Sequence, residues 1–301
     1  MRRKNRGKQT LKKKMLSILL LSAMSSILAV VIVSYMTIRM IQNDGIKESM
    51  QIYLEQITRE MDSDYYDMIG IVNQMSPDGL IGSATERYLS SNDNYDRYLE
   101  QKFLREELIK LGYVNTKLLG ITYYDPKEQK ELIGNFNVRV LDPSYQTISK
   151  VVVGADNTIQ AMHDSYLGIK ETPVVSVMRR VSFGNQKMLD IYAEMEPDMS
   201  VSDQLNKEKW PYTYMEMDEN GIVQYSNNPV IVQGQKILSE LPKKEGHAVT
   251  NQEGYKIMVY RSTIGYANAI ALPENIYQKE MNMWRLKLVV IILAKIGRAH
   301  V

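Results

Sequence analysis

The sequence has 301 residues and a formal net charge of +2, and 44% of its residues are hydrophobic, a fraction that excludes an intrinsically disordered chain. It contains no cysteine, which excludes disulfides, thiol chemistry and Cys-ligated metals. The positive charge comes from the basic N-terminal tail, and the rest of the chain is mildly acidic. We therefore expect a folded protein without a nucleic-acid partner.

An uncharged apolar segment follows the basic tail. Residues 1–14 include basic and no acidic side chains, and residues 15–38 carry no charge. Crossing a bilayer takes about 20 apolar residues, and basic flanks stay on the cytoplasmic side. The pattern predicts a transmembrane helix at 15–38, with a cytoplasmic tail at 1–14 and the following chain outside the cytoplasm. The alternative is a cleaved signal peptide, whose apolar core of about 7–15 residues would be shorter.

A second apolar segment lies near the end of the sequence. Trp284 and Arg285 precede the apolar run 288–294, as at a membrane interface. The run is too short to cross a bilayer, so we predict an exit helix and a truncated second transmembrane helix over 273–295. Residues 296–301 are expected to be an adapter-derived tail, with a cytoplasmic output part missing. A native short C-terminus is the alternative.

A long external helix is predicted at 39–76. It has one apolar stripe with steps of three or four residues: Met50, Leu54, Ile57, Met61, Tyr65, Met68, Val72 and Met75. Such stripes usually form part of the core. Tyr53 and Ile71 widen the stripe, which raises a second hypothesis of a homodimer. The expected dimer contacts are Ile46, Met50, Tyr53 and Ile57.

Beyond this helix the periodicity alternates between helical and strand-like. We predict helices at 91–111, 156–166, 200–209 and 233–241. We predict strands at 118–124, 131–138, 174–183, 187–195, 212–218, 222–226, 255–263 and 266–272. The segments that begin at Val175 and Ile257 share one order: strand, glycine turn, strand, Pro-acid pair and helix. This repeat predicts two α+β lobes, a membrane-distal one at 77–197 and a membrane-proximal one at 198–272.

The layout resembles the double Cache sensor domain, an α+β fold with two PAS-like lobes and antiparallel sheets. The Asp-Glu-Asn-Gly hairpin within 217–226 and the Ala-Leu-Pro-Glu sequence at 271–274 are similar to segments of that family. The resemblance implies the extracytoplasmic ligand-sensing and transmembrane signalling region of a two-component sensor histidine kinase that lacks its kinase domains. It also implies a small-molecule ligand, a membrane location and a response regulator reached through the missing cytoplasmic part. A chemotaxis receptor or a membrane-anchored surface binding protein is the alternative.

No motif predicts catalysis in this chain. The zinc-protease, nucleophile-elbow and P-loop patterns are absent from the sequence. Outside the tail, the histidines are His163 and His247, far apart in sequence and expected to be ordinary surface residues. We therefore expect no catalytic residue, metal ligand or cofactor here.

A ligand site is predicted on the strands at 174–183 and 187–195. Arg179 interrupts an apolar alternation, while Asp190, Tyr192 and Glu194 share one face of the partner strand. A charge on a core face needs a partner. We predict that Arg179 or Arg180 binds an anionic or amino-acid ligand. The assisting residues would be Tyr123, Tyr124, Asp190 and Tyr192. The alternative is an internal pair of Arg179 with an aspartate or glutamate, or an arginine that extends to solvent. The Arg-x-Trp-Tyr motif of amino-acid-binding family members is not present.

Overall fold

In the computed structural model, a long helix is followed by two short helices and two sheets. Helix α1 spans Arg2–Met75, α2 spans Leu80–Ser90 and α3 spans Asn94–Val114. The structure describes residues 2–135, 156–167, 173–184, 186–197, 212–228, 231, 234–237, 241–243, 245–252, 254–273, 283 and 286–287. Among these, side chains are described except at residues 2–13, 16, 20, 23, 24, 39, 42, 43, 46, 135 and 252.

Helix α1 belongs to both compact units of the chain, one made of residues 1–50 with 273–301 and the other of residues 51–272. In the first unit many apolar side chains are solvent-exposed, for example Ile18 at 69% and Leu21 at 72%. Across the part of the chain that the structure describes, no helix combines the length and the apolarity needed to span a bilayer. The transmembrane helix predicted at 15–38 is therefore not shown by the structure.

The apolar stripe predicted on α1 is confirmed as core. Its eight side chains, from Met50 to Met75, are at most 1% exposed. Burial of one such side chain stabilises a fold by about 1.5–3 kcal/mol, so this stripe is a major source of stability. Met50 and Ile57 are completely buried within a single chain. They are therefore unavailable as the dimer contacts that the sequence suggested.

Helix α2 was not predicted from the sequence. Helix α1 ends at Met75, as expected from the following Pro-Asp-Gly, but the chain begins a new helix at Leu80. Gly82 permits this because a Cβ there would lie 1.7 Å from the carbonyl oxygen of Ser76. The next helix, α3, begins after Asp93, whose carboxylate accepts a hydrogen bond from the Tyr95 amide at 2.9 Å.

The first sheet is antiparallel, with strand order β2-β1-β5-β4-β3. Its strands are β1 Leu118–Asp125, β2 Lys130–Asn135, β3 Thr158–His163, β4 Val174–Phe183 and β5 Lys187–Met195. The predicted strands at 118–124, 174–183 and 187–195 are confirmed. The predicted helix at 156–166 is wrong, because this segment pairs with β4 as an edge strand with Ile159 opposite Val177. Long-range pairing here overrides the local pattern.

The second sheet is also antiparallel, with strand order β7-β6-β10-β9-β8. Its strands are β6 Thr213–Met217, β7 Val223–Ser226, β8 Gly246–Gln252, β9 Tyr255–Arg261 and β10 Ala267–Pro273. Strand β8 was not predicted. The helix predicted at 233–241 is wrong within its described residues, because Lys236 forms a bridge with Ile222. Gly221 and Gly265, at the two predicted hairpins, have φ of 74° and 104°, values that favour glycine.

The two sheets repeat one topology. Replacing β1–β5 by β6–β10 in order converts the strand order of the first sheet into that of the second. This confirms the internal repeat and the α+β architecture with two PAS-like lobes. The helix predicted at 200–209 lies outside the described residues, as do the tail and almost all of the exit segment. The lobe boundary at 197–198 therefore stays a prediction.

A polar row on α1 attaches the second sheet. The Thr58 hydroxyl accepts a hydrogen bond from the Asn268 amide at 2.9 Å. One turn later, the Asp62 carboxylate accepts hydrogen bonds from the hydroxyls of Ser262 at 2.5 Å and Tyr266 at 2.9 Å. The next turn places the ring of Tyr65 edge-on against Tyr266, with 5.3 Å between centroids. These spacings put the row on one helix face.

We predict that Asp62→Ala lowers the free energy of unfolding by about 2–4 kcal/mol, because it leaves the Ser262 and Tyr266 hydroxyls without their charged acceptor. Urea unfolding of the full chain measures this loss. Asp67→Ala is the matched control, since Asp67 is an exposed aspartate on the same helix. Equal effects of the two substitutions would contradict the assigned role of Asp62.

Candidate ligand-binding site

The first sheet has two chemically different faces. Strand register places Tyr123, Ile191 and Arg179 on one face, and Tyr124, Asp190 and Arg180 on the other. The Tyr123 hydroxyl donates a hydrogen bond to the Met75 carbonyl oxygen at 2.5 Å, so its face packs on α1. We call these the helix face and the polar face. The structure thus divides the six residues of the predicted ligand site between the two faces. Tyr124, Arg180, Asp190 and Tyr192 lie on the polar face, and Tyr123 and Arg179 lie on the helix face.

Arg179 is a helix-face residue that joins β4 to the end of α1. Its guanidinium donates hydrogen bonds to Asn73 Oδ1 at 2.9 Å and Ser76 Oγ at 3.1 Å. Its neighbours on that face, Val177 and Val181, are buried, as the interrupted apolar alternation predicted. Both acceptors are neutral, so Arg179 makes charge-assisted hydrogen bonds with them.

Asp190 and Arg180 form an ion pair on the polar face. Arg180 Nε donates to Asp190 Oδ1 at 2.7 Å, and Arg180 Nη2 donates to Oδ2 at 2.9 Å. The Asp190 side chain is completely buried, whereas that of Arg180 is 28% exposed. The hydrogen bond with Asp190 raises the pKa of the Arg180 guanidinium. This parallel two-bond geometry is strong, and it is formed by Arg180 and not by Arg179, the arginine for which the sequence suggested an internal carboxylate pair.

Two tyrosines flank this ion pair. Tyr124 lies opposite Asp190, and Tyr192 lies opposite Met178 in the next layer of the same face. Both side chains are completely buried. Burial, then the charges of Asp190 and Asp125, raise the pKa of Tyr124, and burial, then Glu194, raises that of Tyr192. Both phenols therefore remain protonated near neutral pH.

Glu194 is a polar-face residue that the predicted site omitted. Its buried carboxylate accepts hydrogen bonds from Ser165 Oγ at 2.6 Å, the Tyr166 amide at 2.7 Å, the Leu167 amide at 3.1 Å and the Tyr192 hydroxyl at 2.5 Å. Burial raises the pKa of Glu194, and hydrogen bonds from Ser165 and Tyr192 oppose that rise. The sequence alternation of Asp190, Tyr192 and Glu194 indicates that Glu194 lies on the same face as the two residues that were included in the predicted site.

An aromatic pair lies at the edge of the polar face. The His163 ring stacks on Tyr166 with 4.2 Å between centroids, and its Nε2 lies 2.8 Å from Ser176 Oγ. His163 is half-buried, so the expectation of an ordinary surface histidine is wrong for it. Burial lowers the pKa of His163, which leaves the ring neutral near pH 7.

An apolar cluster occupies the corresponding face of the second sheet. Tyr214 and Asn268 face α1, so Met215, Met217, Ala267 and Ala269 face the other way. These four residues belong to a buried apolar cluster that also contains Val223, Ile231, Ile237, Leu241, Ile257, Val259 and Ala271. Equivalent faces of the repeated sheets therefore differ in chemistry, because buried charged groups lie on that face of the first sheet and an apolar cluster lies on that face of the second.

Metal ligation has no candidate in the described ranges, which contain no cluster of three or more histidine, aspartate or glutamate side chains able to hold an ion. His247 is exposed, and its Nε2 lies 3.6 Å from Glu55 Oε2.

No family model matches the sequence, and neither does any curated protein. Among solved structures, the V. cholerae histidine kinase DctB sensor domain is 14% identical with a TM-score of 0.45, covering 77% of this chain and 98% of its own. The ligand-binding domain of Mlp24 with asparagine is 13% identical with a TM-score of 0.49, covering 81% and 98%. The Pseudomonas aeruginosa PAO1 amino-acid chemoreceptor PctC domain, in complex with GABA, is 8% identical with a TM-score of 0.43, covering 76% and 99%.

These structural neighbours are sensor or ligand-binding domains of histidine kinases and chemoreceptors, and they cover most of the chain.

Proposed function

We propose that this chain is the extracytoplasmic ligand-sensing region of a two-component sensor histidine kinase, and that its ligand binds at the polar face of the first sheet. One observation carries the proposal: charged and phenolic groups are buried on this face, while a buried apolar cluster occupies the equivalent face of the second sheet. A chemotaxis receptor would use the same sensing region, and the cytoplasmic output part would distinguish the two.

The proposed site has the groups that small-molecule recognition requires. Tyr124 and Tyr192 provide apolar surface and phenolic hydroxyls, and Arg180 provides a partly exposed cation beside a buried carboxylate. An anionic ligand group would contact Arg180, whereas a cationic one would be drawn to Asp190. The internal pair limits which ligands bind, because a ligand must compensate any hydrogen bond that it displaces.

The opposite side of the same strands would transmit the signal. Arg179 and Tyr123 hydrogen-bond to the end of α1, so a ligand that moves β4 or β1 also displaces the positions where this helix is held. A ligand can shift such an equilibrium only by its differential affinity for the two states. Displacements of about 1–2 Å between packed helices are typical of signalling changes. In this proposal Arg179 and Tyr123 are positioning residues.

We also propose that residues 15–38 anchor the chain in a membrane, with the N-terminus in the cytoplasm and two copies side by side. The uncharged sequence and its exposed apolar side chains support the anchor, and the basic tail supports the orientation. A partner would have to contact a part of α1 outside the buried stripe. Ile52 is 59% exposed and offers such a position.

The ligand site is tested by thermal unfolding of the full chain with the twenty amino acids and GABA as probes. A ligand at about one hundred times its Kd stabilises the folded state by about 2.7 kcal/mol. We expect Tyr192→Phe to reduce the stabilisation and Arg180→Ala to abolish it. Arg180→Ala should also lower the free energy of unfolding by about 3 kcal/mol, since it leaves Asp190 buried without its cation.

Arg179→Ala is the matched control for the ligand site. It should lower the melting temperature without ligand, because its bonds to α1 are lost, and should retain most of the ligand-induced shift. If Arg179→Ala removes the shift while Tyr192→Phe and Arg180→Ala retain it, the ligand does not bind at the polar face.

Anchoring and pairing are tested with single cysteines in the naturally cysteine-free chain. In intact cells a membrane-impermeant maleimide should label Ile52→Cys but should reach Lys8→Cys only after permeabilisation. Oxidation should crosslink Ile52→Cys into dimers and leave the buried Ile57→Cys monomeric. The reverse labelling pattern would reject the orientation, and equal crosslinking at both α1 positions would reject the specific pairing.

A further inference from the structure

A buried carboxyl group joins the two sheets. Glu216, on β6, is completely buried on the face of the second sheet that packs on α1. Its Oε2 accepts a hydrogen bond from the Met162 amide of β3 at 2.6 Å. Because β3 belongs to the first sheet, this bond links one lobe to the other.

The hydrogens around Glu216 can be assigned in sequence. The Thr58 hydroxyl donates to the Leu54 carbonyl at 2.9 Å and accepts from the Asn268 amide. Asn268 Oδ1 lies 2.7 Å from the Tyr214 hydroxyl oxygen, so in this amide orientation Tyr214 uses its one hydrogen there.

Glu216 Oε1 lies 3.1 Å from that same Tyr214 oxygen. With the Tyr214 hydrogen already used, two acceptors would face each other if Glu216 were ionised. A proton on Oε1 resolves this, because the neutral carboxyl group then donates to Tyr214 and still accepts from Met162 through Oε2.

The surroundings of Glu216 also favour its neutral form. The titratable side chains that face it are Tyr65 from α1, Tyr214 from β6, Tyr225 from β7 and Tyr266 before β10. Three further carboxylates lie near these tyrosines: Asp62, Asp64 and Asp164. None of these groups is cationic, and no ion pair involving Glu216 is found in the described part of the chain. Burial raises the pKa of Glu216 to about 7, against the opposing hydrogen bond from the Met162 amide.

We propose that Glu216 is a proton-operated latch between the two sheets, closed while its carboxyl group is protonated and released when the proton passes to solvent. Ionisation leaves a buried negative charge beside an acceptor and without a cation, so the junction must open to admit water. The latch requires no ligand and is independent of the polar face.

The direction of the pH effect follows from the two pKa values. The carboxyl group has a pKa of about 7 in the folded chain and 4.5 as its ordinary value. The latch contribution is therefore fully present below about pH 4.5 and is lost as the pH rises through about 7. Acidification closes the junction, and alkalinisation loosens it.

Glu216→Gln keeps the shape of the neutral glutamic acid side chain but cannot ionise. The amide oxygen of glutamine can accept from Met162, and its NH₂ group can donate to Tyr214, as in the neutral acid. Glu219→Gln is the matched control, because Glu219 is an exposed residue of the following hairpin and its loss changes the net charge equally.

Urea unfolding of the full chain in detergent micelles, at about pH 5 and about pH 9, measures the effect. The folded-to-unfolded ratio of the wild type, relative to Glu216→Gln, should fall about a hundredfold across this range. Glu219→Gln should follow the wild type. Parallel pH profiles for the wild type and Glu216→Gln would overturn the latch.

An infrared titration of the wild type keeps the test open if Glu216→Gln fails to fold. A carboxylic-acid carbonyl band should disappear between about pH 6 and about pH 8, together with faster hydrogen exchange at the Met162 amide. A band that titrates below about pH 5 would show that Glu216 is an ionised structural acceptor, and the proposal would be rejected.

Discussion

The buried side of α1 between Leu54 and Met75 is the interaction on which both sheets depend. Its apolar stripe is excluded from solvent. The polar groups beside the stripe form hydrogen bonds with the two lobes at different positions along the helix. Thr58 and Asp62 hold the second sheet, whereas Ser76, just beyond the helix, and Met75 hold the first. Tyr65 lies between them, with its hydroxyl donating to the Gln160 carbonyl of β3. A rigid element with discrete attachment points is the kind of structure through which a shift at one lobe reaches another.

The repeated topology allows the two lobes to divide their chemistry between opposite faces. In the first sheet Arg180, Asp190 and Glu194 lie away from α1, where we propose that a ligand binds, whereas Arg179 faces α1. In the second sheet the buried polar groups Glu216 and Asn268 lie toward α1. The first sheet thus places buried charged groups where a ligand could bind, and the second sheet places buried polar groups at the junction between the two lobes. Ligand and proton would then act on the same helix from different sites.

Local pattern predicted those parts of the fold that depend on neighbouring residues. The α1 stripe and the strands Val174–Phe183 and Lys187–Met195 were predictable because their apolar periodicity is regular. The local pattern at 156–166 predicts a helix, whereas the structure has strand β3 there because its pairing with β4 is a long-range contact. Helix α2 was missed because Gly82 permits a close approach that the sequence pattern does not reveal.

The candidate site was only partly predictable for the same reason. Alternation correctly placed Asp190 and Tyr192 together, but it could not show which arginine would reach the carboxylate. Arg180 and Arg179 are adjacent in sequence and point to opposite faces, and the choice depends on the position of α1. Besides Tyr192, the donors to Glu194 come from residues 165–167, which sequence spacing could not connect to it.

Hydrogen exchange of the full chain tests most directly whether α1 supports both sheets. If it does, amides of residues 54–75 should be as strongly protected as those of β5 and β10, because the helix cannot open without exposing the core of both lobes. Exchange of these α1 amides that is much faster than exchange in β5 and β10 would show that the sheets remain folded without the helix, and would contradict the account.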